Sequence, residues 1–127
     1  MKALLSGALA LLCAAPSVSS SVTFDGPISS GDTELQFTLA ENEAIGTLPL
    51  WRIFHNGNEV THLVNPVLIS ETAVDADGDG VYEDLTQTYA VDITGYTLLP
   101  DDRLRVRTRM ATTSGDSVQS DTIRVQP

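Results

Sequence analysis

From Glu34 to Leu39 the chain reads Glu-Leu-Gln-Phe-Thr-Leu, with Leu35, Phe37 and Leu39 alternating with polar neighbours. Successive side chains on a strand point to opposite faces, so this period of two predicts a strand with one buried face. The same period returns at residues 85–93, where Leu85, Tyr89, Val91 and Ile93 fall on one side. It returns again at 103–110, where Leu104, Val106, Thr108 and Met110 alternate with four arginines, and at Ile123 and Val125 near the C-terminus. Residues 50–63 form two extended runs around Asn56-Gly57, a dipeptide that accepts the positive φ angles of a two-residue hairpin turn. Residues 65–74 make a further apolar run. Repeats, heptads and long helical periods are absent from the sequence. Short strands bounded by Gly, Pro, Asn and Asp predict an all-β fold, an antiparallel β-sandwich.

The first 20 residues follow a different plan. Lys2 is followed by a mostly apolar run, residues 3–15, and then by small residues through Ser20. This is the layout of a signal peptide, and the run is too short to span a bilayer. The expectation is a cleaved leader, residues 1–20, and one mature domain, residues 21–127, secreted or held at the cell surface with no transmembrane segment left. The only Cys and the only Lys, Cys13 and Lys2, lie in the leader. The mature domain therefore has no disulfide and rests on packing alone. Its 17 Asp and Glu against six Arg give a net charge of −11. Such a surface repels nucleic acid and anionic lipid. Acidic composition with Arg in place of Lys resembles the proteins of halophilic microbes, and an ordinary acidic secreted domain has the same composition.

Residues 74–85, VDADGDGVYEDL, hold the clearest chemistry. Ca²⁺ takes six to eight oxygens, and a loop supplies them from alternate residues when a glycine lets the backbone turn sharply. Asp75, Asp77 and Asp79 stand at positions 1, 3 and 5, Gly80 at 6, the Val81 carbonyl at 7, and Glu83 and Asp84 at 9 and 10. A helix-loop-helix site would need Glu at position 12, which is Thr86 here, and its flanks would be helical. The remaining pattern resembles the shorter loops of thrombospondin type 3 repeats, which implies a Ca²⁺ cofactor. The competing reading is a solvated hairpin tip.

Arg103, Arg105, Arg107 and Arg109 project from one face of one strand. They suit an anionic glycan, a sulfate or an acidic partner surface, or else cross-strand pairing with neighbouring carboxylates. Trp51 reads as a core anchor. His55 and His62 read as exposed residues beside the Asn56-Gly57 turn. Nothing in the sequence suggests a nucleophile with a base and an orienting acid, so no catalytic activity is expected.

Residues 98–125 resemble the last two strands of a fibronectin type III domain: a Leu98-x-Pro100 turn, an alternating strand, a Gly115-Asp116-Ser117 loop and a final strand. Residues 51–60 resemble the central hairpin of immunoglobulin-like domains. The resemblance departs at Leu104, where a tyrosine is expected, and at residues 70–85, which read as an insertion between strands. It implies a sandwich; the lack of catalytic groups then leads to the expectation of a structural or adhesive role, with other surface proteins or glycans as candidate partners, and open sheet edges allow self-assembly. Residues 19–27, with Val22 and Phe24, form either the first strand of their own domain or one donated to a neighbour. The alternative function is a calcium-dependent carbohydrate-binding module, for which Tyr82, Tyr89 and Tyr96 are the candidate stacking residues.

Overall fold

A computed structural model describes residues 20–60 and 65–127; residues 1–19 of the expected leader and His62 lie outside the described residues. Eleven strands occur among them: β1 (Ser21–Phe24), β2 (Ile28–Ser29), β3 (Glu34–Glu41), β4 (Ala44–Ile45), β5 (Leu50–His55), β6 (Asn58–Glu59), β7 (Val67–Val74), β8 (Val81–Tyr82), β9 (Asp84–Asp92), β10 (Arg103–Thr112) and β11 (Gly115–Gln126). They form two sheets. The first runs β1-β3-β9-β7, antiparallel throughout. In the second, β10 lies between β11 and β5, β2 adds to β11 in parallel, and the short β4 and β8 extend the end of β10.

The alternating residues close the sandwich. Leu35 and Phe37 from the first sheet meet Ile53, Leu104, Val106 and Val125 from the second in one core cluster, with Trp51 packed against it. Trp51 meets the Phe37 ring edge-on at 5.4 Å. Leu39, Ala44, Leu85 and Met110 form a second cluster toward one end, and Tyr82 packs on it. The expected hairpin turn is present: Asn56 and Gly57 have φ of 50° and 87°, both positive as a two-residue turn between twisted strands requires.

β1 pairs with β3 of its own chain, Val22 opposite Leu39 and Phe24 opposite Phe37. The Phe24 N–H donates to Asp121 on β11, so this flank of the sandwich is tied across both sheets. The opposite flank differs. β7 is the outermost strand of its sheet and all eight of its residues are exposed.

Three expectations need correction. The stretch 70–85 is not an insertion, since β7 and β9 pair along most of their length and only the tip between them is a loop. Gly115-Asp116-Ser117 is not a loop but the start of the 12-residue β11, with the reversal at Thr113-Ser114. Tyr89 is core, only 8% exposed, with its hydroxyl donating to Gln87. Burial, followed by the charge of Glu71, pushes that hydroxyl up to about 12.

Candidate metal centre

The loop between β7 and β8 is anchored before its carboxylates are placed. Glu83 N–H donates to the Val74 carbonyl at 2.9 Å, β8 pairs with β4, and Tyr82 packs on the second core cluster. Within the loop, Asp75 accepts from the N–H of Asp79 at 3.2 Å and of Gly80 at 2.9 Å. Asp79 accepts from Val81 N–H at 2.9 Å, and Glu83 accepts from Ala76 N–H at 2.7 Å. Gly78 and Gly80 take φ of 69° and 85°, a region open to glycine at low cost. The backbone donors thus fold the acidic side chains over the turn.

One oxygen from each of Asp75, Asp77, Asp79 and Glu83 lies within 4.8 Å of all the others. Oxygens around Ca²⁺ sit at roughly 2.3–2.6 Å from the ion, so two ligands on opposite sides are about 5 Å apart. Four oxygens within that limit can share one cation. The electrostatics register the crowding. The Asp77 carboxyl is held above its ordinary value, first because it donates a hydrogen bond to Asp79 when protonated, then by partial desolvation and the Asp79 charge. Asp79 is held below, chiefly by the Val81 N–H.

The expected set also includes Asp84 and the Val81 carbonyl. Asp84 starts β9 opposite Val74 and is not in the group; one of its oxygens is buried without a hydrogen-bond partner. Adjacent side chains entering a strand diverge, so Glu83 and Asp84 do not both face the loop. Val81 lies in β8 opposite Ile45.

Arg103, Arg105, Arg107 and Arg109 share the outer face of the second sheet, as the alternation of β10 requires, while Leu104, Val106, Thr108 and Met110 are buried. Among the described residues, cross-strand pairing accounts for only one of them: Arg109 Nε is 3.6 Å from Asp116. Arg105 and Arg107 lie over the Phe54 ring on β5, at 4.5 and 5.8 Å from its centre.

The reading of His55 as an exposed turn residue is also corrected. Its Nδ1 is 2.7 Å from the Tyr96 hydroxyl and its Nε2 is 2.7 Å from Asp102, and its side chain is only 19% exposed. Asp102 also accepts from Leu99 N–H and Asn56 Nδ2, and these donors with His55 hold its carboxyl at about 2. An ionised Asp102 accepts only, so His55 Nε2 donates to it. Burial raises the Tyr96 hydroxyl, followed by the Asp102 charge, so it keeps its proton. The network clamps the β5–β6 turn to the loop before β10. Pattern reading missed it because its members, the end of β5 and the loop residues Tyr96 and Asp102, are distant in sequence.

Fold and loop together define a mostly antiparallel β-sandwich bearing an acidic cluster able to hold a metal ion. The chain matches no known protein-family model. A search of curated proteins likewise finds no match.

Proposed function

We propose that this protein is an exported, non-catalytic module of the immunoglobulin and fibronectin type III kind, with a structural or adhesive role, whose loop Asp75–Glu83 binds Ca²⁺. The strand orders β1-β3-β9-β7 and β11-β10-β5 correspond to the ABED and GFC sheets of an immunoglobulin domain, which supports the class. The metal reading is carried by one observation, the convergence of four carboxylates on a backbone-braced turn. A hard, all-oxygen donor set with no imidazole or thiolate favours Ca²⁺ over transition metals. Clamping the β7–β8 tip would stiffen that end of the domain.

A calcium-dependent glycan site based on aromatic stacking has less support. Tyr89 is buried in the core, and Tyr82 and Tyr96 pack against the two clusters. The His55 network supports a structural clamp, since its tyrosine holds its proton more firmly than a free one.

Calorimetric titration of chelator-treated protein with CaCl₂ tests the metal. The expected result is one saturable site, with a dissociation constant of about 0.1–1 mM as in many extracellular modules. It should be lost in Asp77→Asn with Asp79→Asn. A flat titration would rule the reading out.

A further inference from the structure

All six arginines that follow residue 20 belong to β5, β10 and β11 of one sheet, and the register puts them on one face. Val106 pairs with Ile53 and Leu104 with Ile123, all inward. Arg107 therefore stands beside Arg52, and Arg103 beside Arg124, all pointing outward. Sequence reading found four of these. Arg52 and Arg124 are visible only once the strands are in register. In a chain with 17 Asp and Glu, this gathers the arginines of the described residues on one face.

The positive charge is only partly compensated. Arg52, Arg109 and Arg124 each approach one carboxylate at 3.6–3.8 Å, with side chains more than half exposed, a geometry in which ion pairs contribute little. Among the described residues no carboxylate lies within ion-pair distance of Arg103, Arg105 or Arg107. Phe54 instead supports the Arg105 and Arg107 guanidinium groups, which orders them with their N–H edges still free. Arg52, Arg107 and Arg109 with Leu50 border a shallow depression of about 250 Å³.

We propose that this face binds a linear anionic polysaccharide, sulfated or carboxylated, along the β10 row, with one anionic group in the depression between Arg52, Arg107 and Arg109. Charge complementarity calls for an anion, and the shape selects among anions. Alternate residues of a strand are about 6.8 Å apart, so the four β10 arginines form a straight row about 20 Å long. Such a row fits an extended polymer with a repeating charge better than a compact ion. Beside it, exposed Ser120 and Thr122 on β11 offer hydroxyls to a sugar. A folded protein partner would want an apolar centre in its interface, whereas here the central Phe54 is covered by guanidinium and the exposed Leu50 and Val118 flank Arg109 at one end of the row. Single-stranded nucleic acid would want that ring free for stacking. The proposal rests on the adhesive role above but needs no calcium, so its test is run in chelator.

The probes are dextran sulfate, uncharged dextran, polyglutamate and oligo-dT, titrated from about 0.1 to about 1 M NaCl, with affinity read against salt. Dextran sulfate should bind saturably and weaken with salt, and uncharged dextran should not bind. Arg105→Gln with Arg107→Gln should lower the affinity about tenfold at the lowest salt and reduce the logarithmic salt slope by about two. Lysine at both positions should restore most of the binding, and equal melting curves check that the variants are folded. The proposal is overturned if dextran sulfate fails to bind, if the glutamine variant binds as well as the parent, or if polyglutamate or oligo-dT binds as tightly as dextran sulfate.

Discussion

Phe37 and Asp102 show two ways in which single residues hold this domain without a disulfide. Phe37 is fully buried between Trp51 and Tyr89, with ring centres at 5.4 and 5.8 Å. Phe37→Ala leaves a cavity that neighbouring rings fill only in part, and should cost about 3–5 kcal/mol in urea unfolding. Asp102 acts through charge. Its folded value of about 2 lies below the roughly 3.9 of an unfolded aspartate. Its contribution is therefore fully present above about pH 4 and lost as the pH falls through about 2. Asp102→Asn should be less stable than the parent at pH 7, with the difference shrinking between about pH 4 and pH 2. An unchanged difference across that window would deny the carboxylate this role. Phe37 is legible from its place in the alternation. Asp102 is not, because its partners Asn56 and His55 are more than 40 positions away.

At the level of elements, strands that obey the hydrophobic period could be read directly, and strands that replace apolar residues with bonded polar ones could not. β3, β9 and β10 are of the first kind. β11 is of the second: its inward Ser117 donates to Glu41, and Asp121 accepts from Phe24 N–H. Those polar residues disguise a strand as a loop. Glu41 itself continues the β3 alternation into the core, where Ser20 and Ser117 both donate to it at 2.7 Å. β7 fails the pattern in the opposite sense, being apolar yet exposed throughout. Val67, Leu68, Ile69 and Val74 are all exposed, and the single charge, Glu71, accepts from Gln87. A long edge strand lacking proline or outward charge accepts other strands. The protein is expected to self-associate in light scattering as its concentration rises, and Ile69→Lys should shift it toward monomer. A parent that stays monomeric at millimolar concentration would show that this edge is protected.

For the whole molecule, charge sorting is the main feature that sequence alone could not reveal. Net charge describes an acidic particle, yet strand register collects its arginines on one sheet face, and the loops concentrate carboxylates around the β7–β8 tip. The spacing of Asp75, Asp77 and Asp79 identified the tip. Only the folded turn brings Glu83 in and leaves Asp84 out. We propose that this tip is a calcium site coupled to folding, and thermal unfolding in calcium and in chelator tests it most directly. A ligand that binds only the folded state at about 100 times its dissociation constant adds about 2.7 kcal/mol, which raises the melting temperature of a domain this size by roughly 10–20 °C. With a dissociation constant near 0.1 mM, that shift should appear at about 10 mM CaCl₂ and vanish in Asp77→Asn with Asp79→Asn. Identical melting temperatures in calcium and chelator, or an equal rise in the double variant, would contradict the account.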